Sequence, residues 1–111
     1  MPKHTHESLQ GNIDLLVLKA LARQGAMHGY GITTYIQQVS KDCLRIEEGS
    51  LYPALHRMAQ QGWIASEWGL SENNRRARYY AITEKGQQQL ALQEKRCGEL
   101  AAAVSQFLRF A

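Results

Sequence analysis

The chain has 111 residues, of which 44% are hydrophobic and 21% charged, and a formal net charge of +3. This length suits one domain, and the composition is ordinary for a soluble globular protein. No run of about 18 apolar residues predicts a membrane span. Residues 1–10 are polar, which predicts a flexible tail and no secretory signal, so we expect a cytoplasmic protein.

The first half of the chain predicts two helices. Apolar residues at helical spacing, among them Ile13 and Leu16, predict the first helix over residues 12–24, and Gly25 ends it. Further leucines make this helix apolar on more than one side, so it should be covered by something beyond its own domain. A second helix is predicted over residues 29–40.

A third helix is predicted over residues 48–61, with its start left open by Pro53. If Ser50 caps the helix, Pro53 lies in the first turn and removes no backbone hydrogen bond. If the helix begins near Glu48, one such bond is lost. The residues predicted to face inward are Leu51, Leu55 and Met58.

A hairpin and a long helix complete the chain. The alternating stretches at residues 63–68 and 76–82 predict two strands, joined by a loop longer than is usual in hairpins. Thr83 is then a suitable N-cap for a helix over residues 84–110, because its hydroxyl can accept a hydrogen bond from the first turn.

The last helix predicts a homodimer. It should be about 40 Å long, which exceeds what so small a domain can cover, and its apolar residues recur at heptad spacing. We expect it and the first helix to form the interface, although a helix folded back on its own domain is the alternative. The predicted dimerisation residues are Ile13, Leu16, Leu90, Cys97, Leu100, Ala101, Val104, Phe107 and Leu108.

Three helices followed by a hairpin are the element order of a winged helix-turn-helix, in which the third helix enters the major groove of DNA. We therefore expect a mainly α fold with a small β-hairpin, with the winged domain over residues 11–83 and a dimerisation helix over residues 84–111. The outward face of the third helix is polar and carries His56 and Arg57, which suit base edges and phosphates.

The second strand of the hairpin is rich in arginine and begins in a stretch without acidic residues. Alternation along a strand puts Arg76 and Arg78 on one face, opposite Ala77 and Tyr79. Together with Arg75, these arginines suit phosphates or a narrow minor groove, although a solvated hairpin without a ligand has the same pattern.

Three stretches together resemble the PadR family of transcriptional regulators. They are residues 15–32 (LLVLKALARQGAMHGYGI), residues 47–64 (EEGSLYPALHRMAQQGWI) and residues 75–86 (RRARYYAITEKG). The single helix after the hairpin is similar to the short branch of the family, and the wing (SEWGLSENNRRARYY) resembles members described from acidobacteria.

The resemblance implies a repressor that dimerises through its C-terminal helix, binds an inverted-repeat operator and can respond to a small-molecule effector. The last helix lacks the Trp with which some short members stack flat ligands, which argues against drug binding. For Tyr30 and Tyr52, packing between helices is the alternative to DNA contact. The predicted DNA-binding residues are Tyr30, Ser50, Leu51, Tyr52, His56, Arg57, Asn74, Arg75, Arg76 and Arg78.

Other chemistry finds no support in the residue pattern. No catalytic constellation, phosphate-binding loop or metal-ligand spacing is present, so we expect no enzyme, no cofactor and no metal. His28 is expected to make a local hydrogen bond, and Cys43 and Cys97 to be free thiols, one or both in apolar surroundings. The alternative function is a winged-helix module that binds another protein and not DNA, for which the polar recognition face is unsuited.

Overall fold

A computed structural model describes the backbone of residues 2–111 and the side chains of residues 12–111. Its elements, in chain order, are α1 (Pro2–Gln24), β1 (Met27–His28), α2 (Gly29–Val39), α3 (Glu48–Gln60), β2 (Ile64–Leu70), β3 (Arg76–Ile82) and α4 (Glu84–Phe110). Helix α1 begins ten residues before the predicted start at residue 12. The flexible tail predicted for residues 1–10 lies outside the residues whose side chains are described.

The four helices pack around one core with a small antiparallel sheet at its side. Each of the first three helices contributes an apolar face, and the sheet and α4 close the remaining sides. The fully or nearly buried hydrophobic residues are Val17, Leu18, Ala20, Leu21, Ile32, Ile36, Leu51, Ala54, Leu55, Met58, Ile64, Tyr80 and Leu90. This arrangement is the predicted winged helix-turn-helix followed by a long C-terminal helix.

The sheet has three strands in the order β1-β3-β2, one more than predicted. The additional strand β1 pairs its two residues with Tyr80 and Tyr79 of β3. The sequence did not predict it, because a strand of two residues is too short to show an alternating pattern. The predicted long hairpin loop is wrong, because β2 continues to Leu70 and leaves only residues 71–75 between the strands. Asn74 takes a left-handed conformation there, with a φ of 60°.

Helix α3 begins at Glu48, and Pro53 therefore lies inside it. Of the two starts that the sequence left open, the structure has the one in which Pro53 removes a backbone hydrogen bond, and Ser50 is not the cap. The first turn is formed instead by hydrogen bonds from the amides of Ser50 and Leu51 to the carbonyl of Glu47, at 3.0 and 2.9 Å.

Side chains cap two helices, where the sequence predicted a cap at Thr83 and a local hydrogen bond at His28. His28 Nδ1 accepts a hydrogen bond from the amide of Gly31 at 3.0 Å at the start of α2. Thr83 Oγ1 accepts one from the amide of Gly86 at 3.0 Å at the start of α4 and donates to the carbonyl of Gly62 at 2.6 Å. The two caps fix where α2 and α4 leave the sheet.

Only the beginning of α4 packs on its own domain. Leu90 is buried in the core, and Glu94 forms an ion pair with Lys19 of α1 at 3.1 Å. From residue 94 onward every residue of α4 is exposed, and the longest dimension of the chain is 54 Å. Among the described residues, no helix combines the length and apolar character needed to cross a membrane.

Both cysteines are free thiols, but neither has the apolar surroundings that we expected for at least one of them. Cys43 lies in the exposed connector after α2, and Cys97 lies on the projecting part of α4. The expectation rested on the preference of free cysteine for buried positions. In this chain both cysteines lie outside the small core.

Candidate nucleic-acid interface

The outward face of α3 is polar and accessible. Tyr52, His56 and Gln60 are exposed on it, and Ser50 is exposed in the first turn, while Leu51, Leu55 and Met58 point into the core. Leu51 is 0% exposed, so its side chain cannot reach DNA and its inclusion among the predicted contact residues is corrected. Leu51 directly precedes Tyr52. Because neighbouring residues of a helix are rotated by about 100°, the two side chains point in different directions, Leu51 into the core and Tyr52 outward.

Arg57 points from α3 toward α1, where it binds Asp14. Its Nη1 and Nη2 atoms donate hydrogen bonds to both carboxylate oxygens at 2.8 to 3.2 Å. Asp14 is 7% exposed, and its burial raises its pKa while the charge of Arg57 acts to lower it. This guanidinium therefore satisfies a buried carboxylate, and sequence reasoning missed the pair because its members are 43 positions apart.

The start of α2 lies against α3 through Gly29 and Tyr52. A Cβ atom at Gly29 would lie 2.7 Å from the hydroxyl oxygen of Tyr52, so the glycine leaves room for the Tyr52 ring in its present position. Tyr52 is thus partly a packing residue, yet it remains exposed, and Tyr30 is more exposed still. The contact with Gly29 therefore leaves about half of the Tyr52 side chain accessible.

The wing is the hairpin of β2 and β3. Its register places Trp68 opposite Arg78 and Leu70 opposite Arg76, so these four side chains share one face. Ala77 and Tyr79 lie on the other face, as alternation predicted. Arg75 and Asn74 are exposed in the connecting loop. The two ion pairs within the described residues involve none of the three wing arginines.

The wing is held in shape by hydrogen bonds along the hairpin. Tyr79 donates its hydroxyl hydrogen to the carbonyl of Leu70 at 2.9 Å, and Arg78 Nε donates to Ser66 Oγ at 3.0 Å. A Cβ atom at Gly69 would lie 3.0 Å from the Tyr79 ring, so a glycine leaves room for that ring. The arginines are consequently carried by an ordered hairpin.

The predicted dimerisation residues fall into three groups. Leu90 is buried in the core of its own chain, which corrects its placement at an interface. Ile13 packs against the same core, and Leu16 lines a largely apolar groove of about 350 Å³ between α1 and α2. The remaining six lie on the projecting part of α4 and are exposed: Cys97, Leu100, Ala101, Val104, Phe107 and Leu108.

Comparison with known proteins agrees with this architecture. The profile of the family described as "Transcriptional regulator PadR-like family" matches residues 17–92. A transcriptional regulator of Mycobacterium tuberculosis is 32% identical over 83 residues, which make up 75% of this chain and 74% of that protein. The negative transcriptional regulator PadR of Bacillus subtilis is 26% identical over 70 residues, which make up 63% of this chain but only 38% of that longer protein.

Solved structures agree with the fold over nearly the whole chain. A PadR family transcription regulator from hypervirulent Clostridium difficile superimposes with a TM-score of 0.72 at 28% sequence identity. The superposition covers 86% of this chain and 97% of that one.

Proposed function

Because the chain belongs to the PadR-like family of transcriptional regulators, we propose that it binds duplex DNA in a sequence-specific manner and acts as a repressor. The observation that supports this most directly is the juxtaposition of two surfaces in one small domain. One is the exposed polar face of α3, and the other is a wing whose arginines have no acidic partner among the residues described. Such a pair suits a major groove and the phosphates beside it.

In this proposal α3 reads base edges. Ser50 is exposed in the first turn of α3, and Tyr52 and His56 are exposed on its outward face. Their hydroxyl and imidazole groups can donate to and accept from bases. Arg57 is left out of the base-reading set, because its guanidinium already binds Asp14.

The wing and the start of α2 supply sequence-independent contacts. Arg75, Arg76 and Arg78 would bind phosphates or enter the minor groove, with Asn74 at the tip of the hairpin beside them. Tyr30, exposed at the start of α2, would donate its hydroxyl hydrogen to a phosphate. These contacts set the register of α3 on the duplex.

A homodimer would bring two such domains together. The exposed apolar residues near the end of α4, among them Leu100, Val104 and Phe107, leave an unfavourable apolar surface unless a partner covers it. The groove between α1 and α2 offers a second apolar surface that a partner's α4 could cover. A two-fold dimer would favour an inverted repeat with half-sites about one helical turn, or 34–36 Å, apart.

The first test is selection of bound sequences from a random duplex pool by the purified protein at near-physiological salt. We expect enrichment of an inverted repeat. Replacement of Ser50 or His56 by Ala should then weaken binding to the selected site by about 1–3 kcal/mol for each base contact and leave binding to unrelated duplexes unchanged. Salt-sensitive retention without enrichment would contradict sequence-specific binding. No retention on DNA would favour the protein-binding winged module.

A further inference from the structure

Trp68 stands out on the wing as a large aromatic side chain that the core does not use. It is 55% exposed, and its neighbour on the same face, Leu70, is 66% exposed. Both lie on β2, which is an edge strand because β3 separates it from β1. Exposed apolar side chains at a sheet edge favour unwanted pairing with other chains. A function of Trp68 on the surface of the wing would offset this disadvantage.

The surroundings of Trp68 point to that role. The Cζ atom of Arg76 lies 4.5 Å from the centroid of the Trp68 ring, and that of Arg78 lies 5.5 Å from it. Both distances are within the range of a cation–π interaction. Arg78 is further held by its hydrogen bond from Nε to Ser66 Oγ, which leaves its two terminal nitrogen atoms to other acceptors.

We propose that Trp68 is a positioning residue for DNA binding: its indole ring holds the guanidinium groups of Arg76 and Arg78 so that their N–H groups are ready for the phosphates of a duplex. This inference rests on the proposed function. The N–H donors of guanidinium lie in its plane, and an aromatic ring contacts its face, so contact with the ring does not use up the donors.

The gain from this arrangement is preorganisation. An arginine side chain that moves freely before binding loses conformational freedom when a phosphate fixes it, and this loss weakens binding. In this wing one ring restricts two arginines before DNA arrives. Removal of the ring should therefore weaken binding without removing any charge.

The test compares the variants Trp68→Ala, Trp68→Leu and Trp68→Phe with the wild type on one duplex at several salt concentrations. We expect Trp68→Ala and Trp68→Leu to bind about tenfold more weakly, with the slope of log K against log salt unchanged. Trp68→Phe keeps a ring and should recover most of the affinity. Arg76→Ala and Arg78→Ala should instead each reduce the slope by about 0.9, since each removes a phosphate contact.

A double-mutant cycle separates positioning from direct contact. In the Arg76→Ala/Arg78→Ala background, Trp68→Ala should have no further effect, because no guanidinium remains to be positioned. A tenfold loss in that background would mean that Trp68 itself contacts DNA, and would overturn the inference. Wild-type affinity in Trp68→Leu would overturn it too, and thermal unfolding of each variant identifies any loss caused by misfolding.

The inference and the proposed function fail in different ways. If the wild type binds duplexes and the Trp68 variants bind equally well, only the inference is wrong. If the wild type binds no duplex, both are wrong. The Nε–H resonance of Arg78, measured by NMR without DNA, gives an independent reading. It should move in Trp68→Leu, because the ring no longer shields it, and an unmoved resonance would contradict the stacking on which the inference depends.

Discussion

The carboxylate of Asp14 on α1 accepts two hydrogen bonds from Arg57 Nη1, at 3.0 and 3.2 Å, and one from Nη2, at 2.8 Å. This ion pair connects the helix predicted to form part of the dimer interface with the helix predicted to read DNA. Asp14 is nearly buried, whereas about a third of the Arg57 side chain remains exposed. Burial of an unpaired charge is costly, and the hydrogen bonds from Arg57 compensate the negative charge of the Asp14 carboxylate.

Replacement of Arg57 by Ala is expected to lower the free energy of unfolding by about 2–3 kcal/mol, because it leaves the Asp14 carboxylate without its partner. His56, the exposed neighbour of Arg57, supplies the control: His56→Ala should change the free energy of unfolding by less than about 0.5 kcal/mol. Urea denaturation measures both. Adding Asp14→Asn to Arg57→Ala should recover part of the loss, and no recovery would mean that Arg57 stabilises the fold through packing of its aliphatic part alone.

The stability of the protein should also depend on pH through Asp14. Burial raises the pKa of the Asp14 carboxyl above its ordinary value of 3.8, and the opposing charge of Arg57 only reduces the rise. The folded state then binds this proton more tightly than the unfolded state, so the contribution of Asp14 to stability is present below pH 3.8 and is lost as the pH rises through the folded-state pKa.

Asp14→Asn removes this titration while keeping the shape of the side chain. The difference in free energy of unfolding, wild type minus Asp14→Asn, should therefore fall as the pH is raised from 3.8 and become constant above the folded-state pKa. Urea denaturation at a series of pH values gives this difference. A difference that rises with pH would mean that attraction to Arg57 outweighs burial and that the pKa is lowered.

The sequence was sufficient for the existence and order of the four helices and the hairpin, for the cap at Thr83 and for a local hydrogen bond at His28. These features are local, because apolar residues three and four positions apart identify a helix face and alternation identifies a strand. The length of α4 was equally predictable, since Thr83 marks its start and no glycine or proline that would end it follows Gly98.

The features that were missed join residues distant in the chain. Strand β1 is defined only by its pairing with β3, and Arg57 finds Asp14 across 43 positions. The contact of Trp68 with Arg76 and Arg78 depends on the register of the hairpin, which the predicted strand ends did not give. In each case the feature exists only through a contact with a residue from another part of the chain, which local sequence patterns do not identify.

Gly86 and Gly98 form a matched pair on α4. A Cβ atom at Gly86 would collide with the carbonyl oxygen of Trp63 and lie 2.8 Å from Ile82 Cγ1, whereas one at Gly98 would have no neighbour within 4 Å. Gly86→Ala should therefore lower the free energy of unfolding by about 1–3 kcal/mol, and Gly98→Ala should raise it by up to about 1 kcal/mol. Thermal or urea unfolding measures both, and equal effects would contradict the close packing of α4 on the β2 end of the domain.

The projecting part of α4 should decide the oligomeric state. Leu100 and Phe107 are exposed and seven positions apart, so a Glu at either one would put a charge into the proposed interface, where it would lack a partner. We expect Leu100→Glu and Phe107→Glu to shift the protein from dimer to monomer in light scattering at micromolar concentration, and to lose binding to an inverted repeat together with the dimer. Gln106→Glu introduces the same charge about 200° around the helix from Val104, and should remain dimeric. If all three variants stayed dimeric, the interface would lie elsewhere and the exposed apolar residues of α4 would need another partner.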